Sequence, residues 1–469
     1  VSDKPKRAMR VLRFSALWNG AQWIEPAYVA LDSAGCVAGV TDRRPPDVED
    51  VETINGYGVP GFQNAHSHAF QYAMAGLAEN RPAAQQDDFW SWREAMYSLA
   101  LKISPEQMEC VAAMAYAEMV RHGYTSVVEF HYLHHDPEGR PYKRRSEMGE
   151  RLMAAAEAAG IHLTLAPVLY RQGGFGKEPS AAQRRFVCPS LAEFEALREA
   201  TRNAAKGRAD VLVAAAAHSV RAVAAEELAE WLKLPARAGD GPVHIHVSEQ
   251  RREVEEALAH LGKRPVAWVL GEAADPGRLA LVHATHVDEA EVRLLAGSAA
   301  TVVICPSTEG NLGDGFVPLL AYAAAGGRGV AIGTDSHIGM SPLEELRWLD
   351  YGQRLKAEQR NPLCGPHGDD SGLVLMTGAT KSGRIAAGFG TGEPFAPGQP
   401  FDVAVVDPEH PTMTAKPPAR RLAALIFGGD ASSFLGVIRR GAWLIERGRH
   451  KRHDAIKARY RATIAALTR

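Results

Sequence analysis

Cysteine is scarce and unpatterned in this chain. Five cysteines, Cys36, Cys110, Cys188, Cys305 and Cys364, are scattered over 469 residues, and no two form C-x-x-C. That excludes a disulfide framework and a cysteine-built zinc ribbon, and it suits a reducing cytoplasm. An excess of charge of either sign is also missing. The net charge of -2 leaves no footprint for nucleic acid or an anionic membrane. No apolar run reaches membrane-spanning length; the nearest, VLVAAAAHSVRAVAA, is broken by His218 and Arg221. The basic start, VSDKPKRAMRVLRF, has no apolar core behind it, so no signal peptide is expected. A cytoplasmic protein acting on a small molecule, with no nucleic-acid or membrane partner, is the class left standing.

What is present is an ordinary globular composition, 46% hydrophobic and 23% charged. The length admits one large α/β domain plus a smaller one. Eight short apolar runs alternate with amphipathic helical stretches, at 59–66, 125–131, 161–170, 210–218, 243–247, 279–286, 300–306 and 329–335. The helical stretches PEQMECVAAMAYAEMVRHG and RLMAAAEAAG both end near a glycine, a common helix stop. Eight βα units predict a (β/α)8 TIM-like barrel, placed at 59–389. A doubly wound sheet is the alternative, but it would not gather residues from six strands around one point. Residues 1–58 and 390–469 read differently: they are strand-rich and end in a basic helix with apolar residues spaced for packing. Each part is too short for a good core, which predicts one small β-sandwich domain shared by both termini.

The polar residues of interest fall at the C-terminal ends of the predicted strands, where TIM barrels carry their catalytic groups. They are His66 and His68, Glu129 and His131, His218, His246, His283 and Asp335. In His66-Ser67-His68 the two imidazoles lie two apart and point to one face of a strand. Imidazole is a preferred ligand of zinc and related divalent metals. In VHIHVSEQ, His244 and His246 share a face, so spacing leaves both open as a ligand. Glu249 lies just beyond, in reach of an activated water or a substrate nitrogen. His286 reads as a loop residue, and His337 as a residue that orients Asp335. A buried carboxylate such as Asp335 at a barrel mouth is costly unless a cation pairs with it. Three histidines and one aspartate, with room for water, form a hydrolytic metal site. Glu249, His283 and Asp335 can then handle protons. A second metal needs a bridging anion such as a modified lysine; the fourth run, DVLVAAAAHS, has no lysine, so one metal is expected.

This order of motifs resembles the amidohydrolase superfamily: H-x-H after strand one, H-x-x-E after strand five, His after strand six, Asp after strand eight. The resemblance covers essentially the whole chain, including the split β-domain, and the H-x-x-E form is similar to its mononuclear deaminase branch. It implies one divalent metal, with Zn2+ as the default, held by His66, His68, His246 and Asp335. It further implies that Glu249 shuttles protons and that His283 hydrogen-bonds the attacking water or the intermediate. A homodimer is also expected on this resemblance.

Two arginines beside the catalytic loops, Arg93 in FWSWREAMY and Arg221 in HSVRAV, suit an anionic substrate, because guanidinium binds carboxylates through a bidentate fork. The alternative is that both are helix-start residues paired with local acids. The runs HSHAFQ, FWSWRE, EFHYLHHDP, HSVRAV, HIHVSEQ, LVHATHVD, STEGNLGDG and GTDSH resemble those superfamily members that deaminate a formimino derivative of glutamate. That resemblance implies hydrolysis of N-formimino-L-glutamate to N-formyl-L-glutamate and ammonia in histidine degradation. It places Gln71, Arg93, Tyr132, His218 and Arg221 on the glutamate moiety. The chain departs from that pattern at Tyr72 (Arg expected), Ala217 (Pro expected) and Gly310 (Ala expected). Two other readings are a deaminase of guanine, cytosine, an adenosine derivative or a triazine, and a catalytically silent barrel kept for binding.

Overall fold

The computed structural model describes residues 10–46, 48, 50–79, 89–235, 240–337, 339–365, 368–390 and 392–467. Residues 1–9 of the basic start lie outside them. Eight parallel barrel strands follow in chain order: Phe62–Ser67, Tyr124–His131, His162–Leu169, Ala215–Ser219, Val243–Val247, Leu279–His283, Thr301–Ile304 and Ala331–Ile332. Each pairs with its chain neighbours, and an isolated bridge between Ser67 and Asp335 brings the eighth back to the first. The fold is the expected TIM-like barrel.

Local chemistry sets the helices between the strands. Helix Pro105–Arg121 starts with a reciprocal capping box: Ser104 Oγ accepts from the amide of Gln107, and Gln107 Oε1 accepts from the amide of Ser104. Pro105 suits the first helical position because its missing N–H has no helical partner there. Helix Glu147–Ala159 stops at Gly160, whose φ of 75° favours a residue without Cβ. The apolar faces of these helices bury Val111, Met119, Leu152 and Met153 in the main core.

The second sheet has nine strands and joins both parts of the chain. Strand Val403–Val406 lies antiparallel to Val51–Pro60, with Val403 opposite Pro60 and Val406 opposite Tyr57. Val51–Pro60 in turn runs parallel to Arg10–Trp18. The sheet curls around its own core of Leu12, Phe14, Leu31, Val37, Phe401 and Ile438, which makes it sandwich-like.

Two strand boundaries differ from the sequence reading. Val59 and Pro60 belong to this second sheet, and the first barrel strand begins at Phe62. The apolar pattern runs on through Gly61, where the chain passes from one sheet to the other, so periodicity does not mark the change. The fourth run splits into Val211–Val213 and Ala215–Ser219 around Ala214. The C-terminal helix, His453–Leu467, packs Ile456 and Thr463 inward and pairs Arg459 with Glu109 at 2.7 Å.

Arg439 ties the second sheet to the base of the barrel. It is 8% exposed, donates to the carbonyl of Gly160 at 2.6 Å, and pairs with Asp210 at 3.0 Å and Asp402 at 3.4 Å. Replacing Arg439 by Ala leaves the carbonyl of Gly160 without this donor and weakens the hold on Asp210 and Asp402, which keep only their bonds to Arg440. We expect a loss of roughly 2–3 kcal/mol, measured as a lower denaturant midpoint at unchanged slope. A midpoint equal to wild type would remove Arg439 from the seam.

Candidate active site

The mouth of the barrel gathers the predicted residues around one small cavity of about 50 Å³. His68, His246, Glu249, His283 and Asp335 form its floor, and Gln71, Arg93, Tyr132, His218 and Arg221 line it too. His66 lies against that floor: its Nε2 is 2.9 Å from Nε2 of His246 and 3.7 Å from Oδ1 of Asp335. Nε2 of His68 is 3.2 Å from the same carboxylate oxygen.

His66, His68 and His246 can hold a metal together, as can His66, His283 and Asp335; within each set the donor atoms lie within 4.8 Å of one another. The chemistry of the donors fits a divalent transition metal. Burial, reinforced by neighbouring imidazoles, holds His66 and His246 well below the ordinary histidine pKa, so both keep a free lone pair. His68 Nδ1 faces the carbonyl of Phe130 at 2.9 Å, an arrangement that places the proton on Nδ1 and leaves Nε2 as a ligand. Burial disfavours the Asp335 carboxylate, but its close contact with His68 and the nearby imidazoles of His66 and His283 outweigh it and hold its pKa below the usual range.

His244 sits apart. It shares the barrel-facing side of its strand with His246 but lies two residues lower, about 7 Å down the strand. Its Nε2 lies 3.0 Å from the carbonyl of Ala386, so it is a core histidine.

Titratable groups cluster on the other side of Asp335. Nε2 of His283 is 3.7 Å from Asp335 and 3.8 Å from Glu249. Burial pushes the His283 pKa down, but the Glu249 charge, the bond to Glu309 and the Asp335 charge prevail and lift it to about 10. Burial raises the Glu249 carboxyl, against the opposing pull of His283 and Arg221. Both groups owe their aim to unusual backbone. His283, Asp335 and Ser248 have φ of 73°, 45° and 52°, a left-handed conformation that costs about 1–3 kcal/mol at a non-glycine residue. These bends close the fifth, sixth and eighth strands and turn the side chains into the mouth.

The arginines are held by aromatic faces. The guanidinium of Arg93 lies 4.5 Å from the ring centre of Trp90 and 5.5 Å from that of Tyr97. Arg221 lies 5.7 Å from Trp90, and its nearest carboxylate, Glu249, is 3.9 Å away. Nε of Arg93 and Nη1 of Arg221 are buried without a hydrogen-bond partner. Gln71 donates from Nε2 to the hydroxyl of Tyr132 at 2.8 Å.

Three sequence readings change. His337 bonds to Ser67 and Thr334 instead of orienting Asp335. His131 packs on His134, with ring centres 5.0 Å apart, away from the cavity. Tyr72 also turns away and packs its ring 5.7 Å from that of Tyr460, so this departure leaves the cavity wall untouched. At Gly310 an added Cβ meets nothing nearer than Trp348 at 3.9 Å, so the expected Ala fits as well. Ala217 is buried in its strand opposite Ile245. Sequence reasoning missed Glu309, whose Oε1 lies 3.1 Å from Nδ1 of His283 and accepts from the amide of Cys305 at 3.0 Å. Its only signal was its place in STEGN, just after the seventh strand.

This fold and this ligand order define a class, and residues 57–444 match the amidohydrolase family. The chain belongs to that family. It is 41% identical over 429 residues to formimidoylglutamate deiminase of Pseudomonas aeruginosa, covering 91% of this chain and 93% of that one. It is 28% identical to a 5-methylthioadenosine/S-adenosylhomocysteine deaminase of Haloarcula marismortui, covering 86% and 85%. Among solved structures, an amidohydrolase from Brucella melitensis matches with a TM-score of 0.90 at 38% identity, covering 98% of this chain and 100% of that one.

Gly333 tests the geometry. A Cβ there would lie 2.8 Å from Cβ of His66, 2.9 Å from its amide nitrogen and 3.0 Å from Sγ of Cys305. Gly333→Ala therefore pushes His66 out of line. We expect zinc affinity to fall roughly 10- to 100-fold, the size seen when a ligand's support is disturbed. Chelator competition reads it directly, and unchanged affinity would show that His66 takes no part in binding.

Proposed function

We propose that this protein hydrolyses N-formimino-L-glutamate to N-formyl-L-glutamate and ammonia, in histidine degradation. The observation that carries the reading is the meeting, at one cavity, of a histidine–aspartate cluster with a buried Arg221 and a half-buried Arg93, each with one buried N–H group that lacks a partner. Buried guanidinium donors call for an anion, and a glutamate moiety supplies two carboxylates. The likeness to the Pseudomonas enzyme supports the same substrate.

His66, His68, His246 and Asp335 would hold one divalent ion, with zinc favoured by a donor set of three imidazoles and one carboxylate. Bound there, the ion supplies Lewis-acid activation of water near neutral pH. Asp335 accepts the proton of the attacking water, and His283 orients that water toward the formimino carbon. Glu249, whose carboxyl burial pushes up, delivers a proton to the terminal nitrogen and takes up the proton of the added hydroxyl as the formyl C=O forms, so that nitrogen leaves as ammonia. Arg93 and Arg221 hold the carboxylates, with Gln71, Tyr132 and His218 around the chain between. That grip keeps the substituted nitrogen away from Glu249, so formamide and glutamate are not released. The five cysteines are all free, which supports a reducing cytoplasm, and among the described residues no helix is long and apolar enough to cross a membrane. A homodimer is part of this reading.

A ring-directed deaminase is the second reading, favoured by the shared fold and the Haloarcula likeness. Nucleobases carry no carboxylate and S-adenosylhomocysteine carries one, so at least one arginine would be left without a carboxylate partner.

Ammonia release should be followed from N-formimino-L-glutamate, N-formimino-L-aspartate, guanine and cytosine with the zinc-loaded protein. Fast release from the glutamate compound alone is expected; turnover of a nucleobase alone, or none despite bound metal, overturns the substrate. Glu249→Gln should lower turnover by roughly 100-fold or more while zinc content holds; near wild-type turnover removes Glu249 from proton transfer. Arg93→Met and Arg221→Met should each raise KM about 10- to 100-fold, the worth of one charge-assisted contact. An unchanged KM would end the carboxylate assignment.

A further inference from the structure

Beneath the metal cluster runs a chain of side chains that the reaction above does not use. Asn64, Ser67, Glu129, Thr334 and His337 are all buried, none more than 3% exposed. Asn64 Oδ1 accepts from the amide of Thr334 at 3.0 Å, and its Nδ2 donates to Thr334 Oγ1 at 2.7 Å. Thr334 Oγ1 is 2.9 Å from Nδ1 of His337, and Nε2 of His337 is 3.2 Å from Ser67 Oγ. Ser67 Oγ donates to Glu129 Oε2 at 2.6 Å, and the amide of Ala69 donates to Glu129 Oε1 at 2.8 Å.

One arrangement of protons satisfies every link. Asn64 must donate from Nδ2, because Oδ1 is taken by the Thr334 amide. The Thr334 hydroxyl then donates to Nδ1 of His337, Nε2–H donates to Ser67, and Ser67 donates to Glu129. The links therefore run one way and end on the Glu129 carboxyl, which burial pushes up to about 7 against the bonds from Ser67 and the Ala69 amide; bonds chained in this way strengthen one another in a low-dielectric interior. The chain also joins the elements that carry the ligands. Asn64 and Ser67 bracket His66 on the first strand, Thr334 and His337 bracket Asp335 after the eighth, and Glu129 lies two residues before the end of the second. The two oxygens of Glu129 grip residues 67 and 69, on either side of His68.

We propose that this hydrogen-bonded chain sets the geometry of the metal site, with Ser67 and Glu129 as positioning residues for the bound ion. The inference rests on the metal reading above. Its test is the zinc dissociation constant, by competition with a chromophoric chelator, for wild type, Glu129→Gln, Ser67→Ala and the double variant.

Wild type should bind one zinc, and each single variant should bind roughly 10- to 100-fold more weakly. Because both variants break one chain, the double should be no more than about threefold weaker than the worse single. Circular dichroism of the metal-free proteins checks that each is folded. Where Ser67→Ala does not fold, Ser67→Thr, which keeps the hydroxyl, should bind zinc within about threefold of wild type while Glu129→Gln does not. Singles with wild-type affinity, or a double whose losses multiply, overturn the inference. Wild type without zinc overturns the metal reading itself, a separate result.

Discussion

The seam where the eighth barrel strand meets the first is the constraint on which the rest of the mouth depends. That strand has two residues, Ala331 and Ile332, too few to close a barrel by ladder pairing. Closure continues through the following loop. The amides of Thr334 and Asp335 donate to the carbonyl of His66 at 3.1 and 3.0 Å, and the amide of His68 donates to the carbonyl of Asp335 at 3.1 Å. The backbones come this close because residue 333 is glycine, with His66 packed against its α-carbon. The same bonds that close the barrel bring the H-x-H imidazoles to the aspartate.

A site this dry is expensive, since buried polar groups cost free energy unless they are paired. Here each charge is answered by another group. Asp335 lies among imidazoles, His283 among three carboxylates, and Arg221 beside Glu249. Among the unanswered groups are one N–H each of Arg93 and Arg221 in the cavity wall, where an anionic substrate would lie. The second sheet works at a distance from this chemistry. By anchoring at Arg439 and running directly into the first strand at Phe62, it fixes where that strand starts.

Much of this was legible in the chain because it rests on short-range periodicity. H-x-H puts two rings on one face of any strand, and eight apolar runs separated by helices admit few folds. Boundaries were less legible: Val59 and Pro60 continue the apolar pattern of Phe62 but pair in another sheet, and alternation carries no record of the partner. His244 and His246 share a face and differ only in depth, which strand periodicity cannot rank. His337 sits two residues from Asp335 yet bonds Ser67 on the first strand, a pairing made by closure alone.

Residue types and local spacing, by themselves, pointed to a metal-binding site, determined the barrel class and placed two arginines near the catalytic loops. Those features follow from donor chemistry and from the 2.0 and 3.6 periods of strand and helix. Tertiary structure alone decided that His244 turns to the carbonyl of Ala386, that Glu309 holds His283, and that Glu129 and His337 meet through Ser67. Each depends on atoms brought together across long stretches of chain, and only the closed barrel sets those distances.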